Sequence, residues 1–223
     1  MRISLLFAYS IFMLILTSAS LSAGFINVKN FSFESNVLPS LDPNEVHVYA
    51  IDDWQINLLP ATYAPNGGTV RFFTNWLSPT ATDGLNVAFL NNNSYILQVL
   101  DRTFQQGDNF ELKVDIGWRT DVPDIFKPQY SVQLLAGGSV LASSGDQAIL
   151  VHGGWATATA SYSYDLAHSG LVGEQLKLKL EKLNSGQVNF DNVRLQATAV
   201  PEPNSAIWFV FMSMVRLSCR RNR

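Results

Sequence analysis

From Phe25 onward, apolar and polar residues alternate with a period of two. Phe110, Leu112, Val114, Ile116 and Trp118 alternate with Glu111, Lys113, Asp115 and Gly117. Leu176, Leu178 and Leu180 alternate with Lys177, Lys179 and Glu181, and Ala156, Ala158, Ala160, Tyr162 and Tyr164 with Thr157, Thr159, Ser161 and Ser163. Successive side chains of a strand point to opposite faces, so this period predicts strands with one buried and one wet face, as in antiparallel sheets. Shorter runs predict further strands over 25–33, 46–56, 69–73, 85–90, 95–100, 130–135 and 188–195. No window of the body carries a convincing helical period. Asn91-Asn92-Asn93, Gly137-Gly138 and Asn184-Ser185-Gly186 supply residues that tolerate positive φ, each between two apolar runs. The fold class expected is all-β: a two-sheet antiparallel β-sandwich, or jelly roll, built as one domain.

In the last of these strands Val188 and Phe190 share a face, but the next apolar residues, Val193 and Leu195, are out of phase with them. That slip predicts a β-bulge at Asp191-Asn192, a device that re-aims a side chain.

The two ends carry a different pattern. Arg2, an apolar run from Ile3 to Leu16 and the small residues Thr17 to Ala23 have the layout of a secretory signal peptide, and the run is short of the roughly 20 residues a membrane span needs. At the other end Pro201 and Pro203 break regular structure. An apolar run from Ala206 to Val215 follows, and then Arg216, Arg220, Arg221 and Arg223. A greasy segment with a cationic stop predicts a membrane segment whose arginines stay on the cytoplasmic side. The expected organisation is a signal peptide over 1–23, a sandwich over 24–199 and a C-terminal signal over 200–223.

Composition narrows the function classes. The chain has 223 residues, 47% of them hydrophobic and 15% charged, and its formal net charge is −3. Between Gly24 and Val200 there are 10 Lys and Arg against 17 Asp and Glu. An acidic body argues against a nucleic-acid partner, whose affinity rests on cationic neutralisation of phosphates. The one cysteine, Cys219, is in the tail, so the body has neither a disulfide nor a thiol nucleophile. His47, His152 and His168 sit in no metal-binding spacing, and no Gly-x-Ser-x-Gly elbow is present. Asp52, Asp53, Asp121 and Asp124 read as solvated turn residues rather than a glycosidase pair.

Val200-Pro-Glu-Pro203, the apolar run and the terminal arginines resemble the sorting signal of PEP-CTERM proteins, with Pro201, Glu202, Pro203, Arg220, Arg221 and Arg223 as its elements. The resemblance implies Sec-dependent export with signal peptidase processing, recognition by an exosortase, transient anchoring in the inner membrane and delivery to the cell surface or an extracellular matrix. The body is similar to galactose-binding-like carbohydrate-binding modules through Asn30-Phe-Ser-Phe-Glu34, Trp54, Asp83-Gly84-Leu-Asn-Val-Ala-Phe89, Gln98-Val-Leu100 and Gln187-Val-Asn-Phe-Asp-Asn-Val-Arg-Leu195. In such modules an early glutamate and a late aspartate hold a structural calcium ion, which implies Glu34 and Asp191 as ligands here. The alternative for that pair is that each caps a strand end through backbone hydrogen bonds.

Sugar binding points to exposed aromatic rings. Trp54 and Trp118 fall on core faces, and Trp76 in the loop Thr74-Asn-Trp-Leu-Ser-Pro79 is the exposed candidate, with Asn75 and Arg119 or Tyr63 as polar company. The functional expectation is therefore a non-enzymatic surface protein that binds extracellular polysaccharide. A structural or adhesive matrix role is the alternative, and a glycan hydrolase a third.

Overall fold

Strand periodicity becomes strand structure wherever a two-residue repeat can bury one face. The computed structural model of the chain describes residues 23–39, 45–57, 67–145, 150–184 and 186–199. One sheet contains β1 (Ala23–Ile26), β2 (Glu45–Val48), β4 (Gly67–Phe72), β5 (Val87–Asn91), β7 (Asp108–Trp118), β10 (Gly154–Tyr162) and β12 (Gln187–Ala199). Its order is β10-β7-β12-β5-β4-β2, with β1 also paired to β12. The other contains β3 (Gln55–Asn57), β6 (Tyr95–Thr103), β8 (Tyr130–Ala136), β9 (Ser139–Ser144) and β11 (Gln175–Lys182), in the order β3-β6-β11-β8-β9. The sheets are antiparallel and form a β-sandwich. Two short 3-10 turns, Asp124–Phe126 and Leu166–Leu171, are the only helical elements among the described residues. None of these is long and apolar enough to cross a membrane.

The inward faces are the apolar sets read from the sequence. Leu112, Val114 and Ile116 of β7, Leu176, Leu178 and Leu180 of β11, and Val132 and Leu134 of β8 belong to one buried cluster. Trp54 and Trp118 join it, as their spacing predicts. The asparagine turn is as expected, with Asn92 and Asn93 both at positive φ.

Two expected strands are corrected. The run 46–56 is not one strand: it leaves the seven-stranded sheet after β2, turns at Asp52-Asp53 with Asp53 at φ 65°, and enters the five-stranded sheet as β3. The run 25–33 keeps strand structure only to Ile26, because Asn30 and Phe33 adopt φ of 46° and 60°. Phe33 is fully buried, its ring 5.8 Å from that of Trp54. This turn directs Glu34 away from the core.

A second apolar cluster covers part of the outer face of the seven-stranded sheet. Val70 and Phe72 of β4 and Val87 and Phe89 of β5 pack there with Leu77 and Ala81 of the loop that joins these strands. Trp76 of that loop and Trp155 of β10 lean on it. The domain thus has a core between its sheets and a smaller apolar floor outside one of them.

Candidate functional site

The outer floor is open at its β2 edge, where strand register places chemistry-bearing side chains in rows. His47 of β2 stands opposite Val70, and Glu45 opposite Phe72. On the other side, Asn189 of β12 is opposite Phe89 and Gln187 opposite Asn91. The result is a small solvent-open cleft of about 120 Å³ with Phe89 and Val70 in its lining. That is below the roughly 300–1,000 Å³ of sites that enclose a drug-sized molecule, so a ligand here lies partly in solvent. Its polar border is Glu45, His47, Tyr49, Asn91, Arg119 and Gln187.

Glu45, His47 and Tyr49 lie at i, i+2 and i+4 on β2 and the residue that follows it, so one strand face carries all three. His47 Nε2 and the Tyr49 hydroxyl are 2.9 Å apart. His47 Nδ1 is 3.7 Å from Glu45 Oε1. The other Glu45 carboxylate oxygen, Oε2, accepts from Arg119 Nη1 at 3.3 Å. Arg119 is only 7% exposed. It donates to Asp121 through Nε at 2.8 Å and Nη2 at 2.5 Å, and to Gln187 Oε1 at 3.1 Å. Its guanidinium lies 4.1 Å from the Trp76 ring centroid and 4.8 Å from that of Phe72.

Asp121 therefore takes two of the bonds of Arg119 in a planar, bidentate pair. Glu45 bridges the arginine and the histidine, one oxygen to each. The hydrogen-bonded pair of His47 and the exposed Tyr49 hydroxyl can hold and pass a proton at the cleft mouth, with Glu45 beside the other ring nitrogen. The ring edges pack as well: His47 and Tyr49 lie 6.2 and 6.3 Å from Phe89, centroid to centroid. Asn189 is fully buried; its Oδ1 accepts from Gln187, and its Nδ2 has no acceptor among the described residues.

A family model, HpiC1-like (HpiC1 cyclase), matches residues 25–196. The chain belongs to this family of cyclases. Three solved structures are similar to it. One is an apo form cyclase from Fischerella sp., 25% identical with a TM-score of 0.69, covering 81% of this chain and 99% of its own. A second is a Stig cyclase, Fisc, from Fischerella sp. TAU in complex with (3Z)-3-(1-methyl-2-pyrrolidinylidene)-3H-indole, 27% identical with a TM-score of 0.67, covering 80% and 100%. The third is a cyclase from Fischerella sp. TAU in complex with 4-(1H-indol-3-yl)butan-2-one, 25% identical with a TM-score of 0.67, covering 80% and 100%. No curated protein matches the chain.

Membership of a cyclase family corrects the functional expectation drawn from the sequence. The reading as a non-enzymatic PEP-CTERM surface protein, with an exosortase and extracellular polysaccharide as partners, is overturned by it. The physical reason is that most of the residues behind the module resemblance build a framework. Glu34, Asp83 and Asp191 hold a loop, and Val188, Phe190 and Val193 fill the core. Such features recur across sandwiches of different function. Pro201, Glu202, Pro203, Arg220, Arg221 and Arg223, the signal peptide over 1–23 up to Ser22, and Tyr63 lie outside the described residues.

The structure does bring Trp76 and Arg119 together, but not as a sugar platform. The guanidinium covers the Trp76 ring, and the indole packs edge-on to Phe72 with centroids 5.8 Å apart. Asn75 is exposed in the same loop. Sequence reasoning missed Glu45, His47, Tyr49, Phe89 and Gln187 as a group. The readable signal was the Glu-Val-His-Val-Tyr alternation over 45–49, which sets three proton-exchanging residues on one face.

Glu34 and Asp191 each bind the loop 82–86. Glu34 Oε1 accepts from the Leu85 and Asn86 amides at 2.7 and 2.5 Å. Asp191 Oδ2 accepts from the Thr82 amide and hydroxyl and the Asp83 amide at 2.7, 2.9 and 2.9 Å. Both carboxylates accept from backbone amides of this loop. At the phase slip Asn192 adopts φ 51°, and its amide donates to Asp191 Oδ1. Asp191 is fully buried, and burial pushes its carboxyl up from 3.8 to about 6. No salt bridge to it or to Glu34 is present among the described residues. Carboxylate oxygens are the ligand type that calcium takes, and here both oxygens of Asp191 and Oε1 of Glu34 are engaged by N–H and O–H donors. No cluster of three His, Cys, Asp or Glu is present among the described residues.

Proposed function

We propose that this protein is a cyclase that closes a ring on an indole-bearing small molecule held in the cleft between β2 and β12. The observation that carries the reading is an open, aromatic-floored cleft with a polar border, in a domain that matches the HpiC1 cyclase family over residues 25–196. Two of the similar cyclases are in complex with indole compounds, and an indole needs the same two things this cleft offers. The exposed Tyr49 ring, backed by the buried Phe89, gives a flat apolar ring a surface, and Asn91, Gln187 and the Tyr49 hydroxyl give its polar atoms partners. Ring closure within one molecule gains most from holding the reacting ends together, which a shaped floor supplies.

Isothermal calorimetry with 4-(1H-indol-3-yl)butan-2-one tests the site. Binding that falls about tenfold or more in Phe89→Ala supports it, since a central aromatic contact is commonly worth more than 1 kcal/mol. An absence of binding to the wild-type protein removes the reading. Turnover would appear as conversion of an indole substrate to an isomer of unchanged mass and altered retention.

A structural calcium ion belongs, in this reading, to the corner of Glu34 and Asp191. It would neutralise the buried charge and fix the 82–86 loop, without entering the reaction. Chelation that lowers the melting temperature of the 24–199 body supports the ion, and an unchanged transition with excess chelator removes it. The signal-peptide pattern over 1–23 supports export through the inner membrane, tested by fractionation of cells expressing the full chain.

A further inference from the structure

Given the cyclase reading, on which this step rests, we propose that Tyr49, His47 and Glu45 form the proton relay of the cleft, with Arg119 as its positioning residue. Tyr49 is the outermost member, 55% exposed, with its hydroxyl 2.9 Å from His47 Nε2. His47 is half-buried, its Nδ1 turned to Glu45 at 3.7 Å. A carboxylate beside one ring nitrogen orients the imidazole, leaving the other nitrogen to exchange a proton.

The charges around the relay match that task. The groups facing His47 are Glu45 and Tyr49 from its own strand, Phe89 from β5 and, through Glu45, Arg119. Among the described residues, Arg119 is the one arginine or lysine on the cleft border, and its charge is met by Asp121 in two hydrogen bonds and by Glu45. Glu45 keeps Oε1 directed to His47 while Oε2 is tied to Arg119. The arginine in turn is held between Trp76 and Phe72, so the carboxylate is fixed by a residue that has little freedom of its own.

The step balances as follows. The Tyr49 O–H bond breaks as its proton bonds to an unsaturated atom of the substrate. The His47 Nε2–H bond breaks in the same event and restores the hydroxyl, leaving a neutral imidazole with its Nδ1 proton on the Glu45 side. Ring closure leaves a cation that must lose one proton. That proton goes to Tyr49 oxygen while the hydroxyl proton returns to His47 Nε2. One proton enters and one leaves, as an isomerisation requires.

The test uses 4-(1H-indol-3-yl)butan-2-one in D2O with the purified protein, reading deuterium incorporation beside the ketone and on the indole ring by mass spectrometry. Incorporation should exceed the protein-free rate and fall about 10²-fold in His47→Ala and Tyr49→Phe, the usual scale of general acid–base catalysis. Probe affinity should change far less than the exchange rate in Tyr49→Phe, which keeps the ring. Added imidazole should restore exchange in His47→Ala, a result that a merely structural histidine would not give. Arg119→Met should slow exchange less than either, with the rate still dependent on His47. A probe that binds but gains no deuterium above background overturns the relay and leaves the cleft intact, whereas a probe that fails to bind overturns the cleft itself. Equal exchange in wild type, His47→Ala and Tyr49→Phe overturns the relay as well.

Discussion

Arg119 lies 4.1 Å over the ring of Trp76, and the two come from loops on different strands of one sheet, brought together at the border of the cleft. The contact is supported by backbone hydrogen bonds from the Thr120 amide to the Trp76 carbonyl at 2.9 Å and from the Ser78 amide to the Gly153 carbonyl at 2.9 Å. A planar cation on an indole face is a favourable pairing when it is shielded from water.

Replacing Arg119 by Met should cost about 2–3 kcal/mol of stability, because Glu45 and Asp121 lose their countercharge in a half-buried setting. Arg119→Lys should recover only part of it, since an ammonium cannot stack flat on Trp76 while making a bidentate pair with Asp121. Urea unfolding followed by circular dichroism reads both. Equal stability of Arg119→Met and wild type would show that the network contributes nothing net.

The pH response of Asp191 has a definite sign. Its folded-state carboxyl is raised to about 6 by burial, above the ordinary 3.8. Between those values the folded chain holds a proton that the unfolded chain has released. The contribution of this group to stability is therefore fully present below about pH 4 and is lost as pH rises through about 6, by about 3 kcal/mol. In chelator, the melting temperature of wild type should gain more than that of Asp191→Asn when pH is lowered from about 7 to about 5. Saturating calcium should reverse this difference, because a cation favours the ionised carboxylate.

Much of the fold was legible because period two has one structural meaning. Where the sequence misled, local backbone strain was the cause: apolar spacing runs unbroken through 46–56, yet Asp53 turns the chain from one sheet to the other. The corner of Glu34 and Asp191 could be read from motif order and from the phase slip in β12. The cleft could not. Glu45, His47 and Tyr49 are visible as a strand face, but their meaning depends on Arg119 and Gln187, 74 and 142 positions after Glu45. Of the segments that carried the module resemblance, only Phe89 and Gln187 reach the cleft. Those segments therefore spoke for the scaffold, and the functional reading taken from them missed the enzyme.

The strand that carries the relay depends on a single glycine. Among the described residues β2 is the outermost strand of its sheet and pairs only with β4, where Gly68 lies against Val48 and Tyr49. A Cβ at Gly68 would meet the Val48 carbonyl oxygen at 2.0 Å and the Tyr49 Cα at 2.9 Å, both backbone atoms that no rotamer change can move aside. Gly68→Ala must therefore push β2 away from β4, and with it His47 and Tyr49. The expected result is a loss of about 2 kcal/mol or more from overpacking. Amide exchange in β2 should quicken while β7 and β11, in the buried core, stay protected. Deuterium incorporation into the indole probe should fall with it. Gly138→Ala serves as the control, because nothing lies within 4 Å of a Cβ there. If Gly68→Ala kept both its β2 protection and its exchange activity, the close approach of these two strands would not be what holds the relay in place.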